Sequence, residues 1–173
     1  VINMKGSIDL TTIKDGVSGF GVYVNGLNKV QSGNIMQINL DGARIKTGSE
    51  AVYAAGYAKW NIQNCEFNAE NAAIEIRAGE MTIDGGTYTA TAPKFEYEAN
   101  GNGSTTQGVA LAIMQHTTKL PISVNVKKGT FKAAAAVAEK NVQKNDPEPD
   151  VDLQIADGQF NGVVVADDVS NFI

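Results

Sequence analysis

The sequence predicts an all-β chain in which short parallel strands stack as a solenoid, a parallel β-helix of about six coils of roughly 21–22 residues each, with loops inserted between them. Three observations carry this: an eight-residue phrase that recurs along the chain, two consecutive equal spacings between its copies, and the near absence of helical periodicity.

The phrase is clearest in Met81-Thr82-Ile83-Asp84-Gly85-Gly86-Thr87-Tyr88. It recurs at residues 38–45, 60–67, 124–131 and 153–160, and a ragged copy ending in Lys5-Gly6-Ser7-Ile8 opens the chain. Its first three positions alternate apolar, polar, apolar, the period-two pattern of a half-buried strand. The fifth position holds Gly42, Asn64, Gly85, Lys128 or Asp157. Gly, Asn and Asp tolerate positive φ, so a sharp bend belongs there, and Lys128 is the awkward member. Alternation then resumes with an inward pair that is small and then large: Ala43 and Ile45, Cys65 and Phe67, Gly86 and Tyr88, Gly129 and Phe131, Gly158 and Phe160. Two bulky inward neighbours at a bend would collide in a narrow interior.

A third strand follows each copy, at residues 20–24, 50–54, 72–76, 109–113, 134–137 and 163–165. Ile38 to Trp60 is 22 residues and Trp60 to Met81 is 21, as identical turns stacked on one another require. A sandwich would give unequal strands joined by hairpin turns. Only residues 133–142 could pass for a helix, and the repeat claims their first half for a strand. Later spacings stretch because loops leave the stack near residues 92–107, 114–120 and 140–150. We read residues 1–173 as one β-helix domain, a piece of a longer protein.

Composition narrows the partners. Apolar residues make up 43% and charged residues 19%, with a formal net charge of −5. No basic face is visible for nucleic acid, and no apolar run is long enough to span a membrane. The single cysteine, Cys65, excludes an intrachain disulfide and a cysteine-based zinc site, and the repeat places it inward as a small hydrophobe. The sequence predicts neither a metal site nor a cofactor.

The phrases Ile83-Asp84-Gly85-Gly86-Thr87-Tyr88 and Val126-Lys127-Lys128-Gly129-Thr130-Phe131, each close to an apolar strand, resemble the pectate-lyase-like β-helix domains of surface proteins from gut and Gram-positive bacteria. The resemblance covers roughly residues 35–165. It implies a right-handed, three-strand coil and an extracellular or cell-surface setting. The family includes polysaccharide lyases, glycoside hydrolases, adhesins and modules with no assigned activity, so fold alone carries no function.

Candidate residues are few. Asp41 and Asp84 share one slot two turns apart, on the order of 10 Å, which suits an inverting pair of carboxyls. Lyases of the resembled family pair calcium-binding carboxylates with an arginine base, and Arg44 and Arg77 are the chain's two arginines. Arg44-Ile45-Lys46 resembles the substrate tripeptide of polygalacturonases, but Ile45 fits an inward slot and the rest of that pattern is missing. His116, the sole histidine, stands at the edge of a loop. Asn39, Asn61 and Asn125 share one outward column with Thr82 and Gln154, where stacked amides can form a ladder or meet hydroxyl-rich ligands. Phe95 and Tyr97, in the loop at 93–107, are the aromatic candidates for sugar recognition.

Three functions from different classes are compatible with these residues. A non-catalytic structural or display module needs only the repeat. A carbohydrate- or host-glycan-binding adhesion module predicts that the loop at 93–107 and the Asn face form one concave patch. A carbohydrate-active enzyme requires carboxylates, or arginine with carboxylates, gathered on an outer face under a loop. Neither end carries a capping helix, so the uncapped ends either continue into further domains of the same chain or self-associate.

Overall fold

The structure, a computed structural model, describes residues 1–10, 19–25, 28–30, 32–99 and 106–167. Among these residues there are thirteen strands and no helix. The N-terminal strands are β1 (Ile2–Met4), β2 (Ser7–Asp9), β3 (Val22–Val24), β4 (Gln37–Asp41), β5 (Arg44–Thr47) and β6 (Glu50–Ala54). They are followed by β7 (Lys59–Ala69), β8 (Ala72–Ile76), β9 (Gly79–Ala90), β10 (Val109–Met114), β11 (Ile122–Lys140), β12 (Val151–Ile155) and β13 (Gln159–Ala166).

Every strand pairing is parallel, and the pairings form three stacks. The first runs β1–β4–β7–β9–β11–β12. The second runs β2–β5–β7–β9–β11–β13. The third runs β3–β6–β8–β10–β11–β13. Long strands join the stacks, so the whole is one strongly curled, solenoid-like parallel sheet. It closes around a single core to which all three stacks contribute, including Ile38, Trp60 and Val124 from the first, Ile45, Phe67 and Phe131 from the second, and Val52, Ile74 and Leu111 from the third.

The repeat alignment matches the observed registers. Ile38 lies beside Trp60 and Trp60 beside Met81, as the equal spacing requires. The expected bends are present at Gly42 (φ 63°), Asn64 (φ 50°) and Gly85 (φ 82°). At Asn64 and Gly85 the bend does not end the strand, because hydrogen-bonded neighbours persist on either side of it; β7 and β9 therefore run through two stacks. Lys128 does not supply a positive φ; the register shifts on either side of it instead. Residues 133–140 continue β11, so the helix alternative there is excluded.

The small-then-large pair also has a visible cause. Phe67, Tyr88, Phe131 and Phe160 form a ladder of ring contacts with centroids 5.3, 5.1 and 5.2 Å apart. Each such pair contributes about 0.5–1.5 kcal/mol beyond its area burial. The rings lean over the small slot. A Cβ at Gly86 would lie 2.7 Å from the Tyr88 hydroxyl, and one at Gly158 would lie 3.0 Å from the Phe160 ring. Cys65 occupies the same slot, buried, with its thiol donating to the carbonyls of Leu40 (3.4 Å) and Gln63 (3.3 Å). Burial raises its pKa.

In its central strands β6, β8 and β10 the third stack is buried on both faces, unlike the other two stacks. Its outer face carries a second apolar cluster of Ala72, Val109, Ala112, Met114, Ala135, Ala138 and Val142, against which Phe95 and Val165 pack. The described parts of the loops seen as insertions in the sequence lie on this face. Lys119 Nζ donates to the Asp146 carbonyl (2.7 Å), and Asn145 Nδ2 donates to the His116 carbonyl (3.0 Å), lashing the two later loops together.

Candidate functional site

The first stack places one residue of each repeat on its outer face at the second octet position. Asn3, Asn39 and Asn61 align there, followed by Thr82, Asn125 and Gln154. The predicted ladder forms over the first three. Asn39 Nδ2 donates to Asn3 Oδ1, and Asn61 Nδ2 to Asn39 Oδ1, each at 2.7 Å. A ladder of this kind uses one donor hydrogen and one acceptor lone pair per shared contact, so each amide keeps further hydrogen-bonding capacity for groups outside. Asn125 stays in the column, but Thr82 stands between it and Asn61. Asn3 was not singled out in the sequence, because the opening copy is one residue shorter at the bend; only the register Asn3–Asn39 reveals it.

Beside the ladder is a groove of about 300 Å³ lined by Asn3, Met4, Lys5, Asn39, Leu40, Asp41, Asn61 and Gln63. Two strands, β4 and β7, supply most of its wall, and their alternation turns Asn39, Asp41, Asn61 and Gln63 to the same side. Lys5 Nζ and Asp41 Oδ2 form an ion pair at 2.7 Å across its end. The hydrogen bond to Asp41 raises the pKa of Lys5, so the cation is present at neutral pH. Amide donors and acceptors, one cation and one carboxylate thus line the groove. That set suits a neutral, hydroxyl-bearing ligand.

Asp84 stands in the Asp41 column with Gln63 between them. Both aspartates face lysines: Asp41 meets Lys5, and Asp84 meets Lys127 (3.6 Å) and Lys128 (3.5 Å). Each carboxylate is thus engaged by an ammonium group rather than free to meet a ligand. The groove borders Asp41 but not Asp84. Arg44 is exposed on the second stack, paired with Glu66 (3.4 Å).

Arg77 lies elsewhere, on the third stack under the loops. It is 1% exposed and forms an ion pair with Glu75 (3.8 Å), itself fully buried. Its guanidinium also donates to the Tyr53 hydroxyl (3.4 Å) and to the Gln115 carbonyl (3.3 Å). Gln115 Nε2 in turn donates to Glu148 (2.9 Å). Burial, reinforced by the Glu75 carboxylate, pushes the Tyr53 pKa up to about 12. This is the arginine-with-carboxylate arrangement under a loop that enzyme chemistry would ask for, but the side chains are closed from solvent and tie the loops to the sheet. His116 is half-buried at the same loop junction, its Nδ1 3.3 Å from both the Thr118 hydroxyl and the Thr118 amide.

Phe95 and Tyr97 are not part of the groove. Their rings pack together at 5.6 Å, Phe95 sits on the outer cluster of the third stack, and Lys140 Nζ lies 5.8 Å from the centre of the Tyr97 ring. The described part of the 93–107 loop and the Asn column therefore occupy different faces, and the single concave patch expected from the sequence is not formed by them. The physical reason is the second apolar cluster, which offers Phe95 a dry surface that the polar first face lacks. Among the described residues, no group of three His, Cys, Asp or Glu side chains is arranged to hold a metal ion. Compared with known proteins, the chain matches no family model, no curated protein and no solved structure.

Proposed function

We propose that the chain is a non-catalytic module of a secreted or cell-surface bacterial protein, a right-handed parallel β-helix of about six coils of the pectate-lyase-like type, that displays an adhesive first face and binds carbohydrate in the Asn3–Asn39–Asn61 groove. The observation that carries this reading is the amide ladder bordering a groove of about 300 Å³. Primary amides pair with vicinal hydroxyls as donor and acceptor at once, and the ladder holds them in a fixed plane, so little side-chain entropy is lost when a ligand binds. The lysine partners of Asp41 and Asp84 and the burial of Arg77 weigh against the enzyme reading.

The test is exposure of the protein to a printed array of host and plant glycans, read for bound protein and for loss of the printed sugar. Binding without loss, abolished by Asn39→Ala and unchanged by Tyr97→Ala, is the expected result. Loss of a printed sugar would revive the lyase or glycoside hydrolase alternative. Binding that depends on Tyr97 and not on Asn39 would move the site to the loop face.

A further inference from the structure

The two ends of the stack present matching edges. Among the described residues, β1, β2 and β3 have strand neighbours on one side only, and β12 and the two halves of β13 pair only with β11. Exposed apolar side chains collect at these edges: Ile2 (51%) and Tyr23 (47%) at one, Val163 (57%) and Val164 (47%) at the other. Strand edges of this kind template further pairing.

We infer that a second copy of this chain docks head to tail, its β1, β2 and β3 pairing in parallel with β12 and the two halves of β13. Continuing the internal registers across the junction decides what would meet. Ile2 and Leu153 end the same inward column, as do Ile8 and Phe160, and Val22 and Val164. Asn3 and Gln154 end the amide column, so Gln154 of one copy would extend the ladder of the next. Like meets like at every apolar slot, and the spacing across the junction is that of any two neighbouring strands, about 4.8 Å.

Charge selects this polarity over its alternative. Residues 151–167 contain Asp152, Asp157 and Asp167 and no lysine or arginine. A two-fold tail-to-tail pairing would gather these aspartates from both copies on one junction. Head-to-tail pairing instead brings Lys5, whose side chain is 75% exposed, to the bend that carries Asp157. Such a contact is heterologous and leaves a free edge at each end, so association proceeds as an open chain. It also places Gln154 of one copy beside the groove of the next, an arrangement that does not depend on what the groove binds.

The experiment is light scattering after gel filtration over a concentration series, with two edge variants, Ile2→Lys and Val164→Lys. The wild-type mass is expected to rise above the 18.3 kDa of one chain as concentration rises. Each variant alone is expected to remain at one chain. An equimolar mixture of the two is expected to reach twice that mass and stop, because one retains its tail and the other its head. A wild type that stays at one chain throughout overturns the inference. So does an Ile2→Lys variant that still doubles, which is the tail-to-tail outcome, and so does a mixture that stays at one chain. Emission from Trp60 verifies that each variant is folded; should Val164→Lys fail this check, Val163→Lys blocks the same edge.

Discussion

Replacing Gly86 by alanine tests the account of the interior most directly. Gly86 has φ +105°, and a Cβ there would lie 2.4 Å from the Cys65 carbonyl oxygen, 2.7 Å from the Tyr88 hydroxyl and 2.8 Å from the Cys65 nitrogen. Two of these atoms are backbone of the neighbouring strand and cannot rotate away. The conformation costs an L-residue about 1–3 kcal/mol. Forcing the strands apart costs about 1–3 kcal/mol more. Loss of glycine's freedom in the unfolded chain returns about 0.4–1 kcal/mol. The net loss is therefore about 1–6 kcal/mol, centred on about 3 kcal/mol. Gly42 is the control: its φ is +63°, but nothing lies within 4 Å of its Cβ position. Gly42→Ala is expected to cost only about 1 kcal/mol, the conformational part less the unfolded-state gain. Urea unfolding followed by emission of Trp60, the only tryptophan and fully buried, reads both variants. Equal losses at the two positions would refute the claim that close strand approach dictates the small slot. Adding Tyr88→Phe to Gly86→Ala should not rescue it, since the Cys65 contacts remain.

Other outcomes follow from the same geometry. Asn39→Ala removes both ladder hydrogen bonds, and in a half-exposed column it is expected to cost about 1 kcal/mol in urea unfolding, whereas Asn125→Ala should change stability by less than about 0.5 kcal/mol. Lys5, Lys140 and Tyr53 all hold their protons more tightly when folded, through Asp41, through Asp167 and by burial respectively. Their contribution is complete below the unfolded values near 10 and is lost as the pH rises through the folded values; urea midpoints should be level through neutrality and fall between about pH 10 and 12. Cys65 is buried with a raised pKa, so a thiol reagent should label it at the rate of unfolding in the native protein and at once in urea; rapid labelling without denaturant would contradict its inward placement.

The inward half of this molecule was legible because the repeat is written in the residues that pack. A phrase such as Met81-Thr82-Ile83 fixes both strand and facing, and Gly42, Asn64 and Gly85 at the fifth position fix the bend. The strands at residues 50–54 and 72–76 match their predicted limits for the same reason. The outer surface was harder to read. Glu75 and Arg77 look like solvent-facing charges when taken from the strand pattern, yet both are buried, because loops far away in sequence fold back over that face. No local periodicity records such a cover. The site divided in the same way. Asn39 and Asn61 were visible as a column, but Asn3 was hidden by a shortened bend, and the dry surface on which Phe95 packs could not be seen without the register.

The buried Arg77 has a mechanical consequence. Its guanidinium touches Tyr53 from β6, Glu75 from β8 and the Gln115 carbonyl beyond β10, and Gln115 reaches Glu148 just ahead of β12. A solenoid whose turns touch only their immediate neighbours frays one turn at a time. Here a single polar rivet spans several levels of the stack and fastens them to the loops outside. Peeling either edge can proceed only as far as this rivet before every bond it makes must break together. The middle of the molecule should yield to force in one abrupt step, while the outermost strands give way gradually.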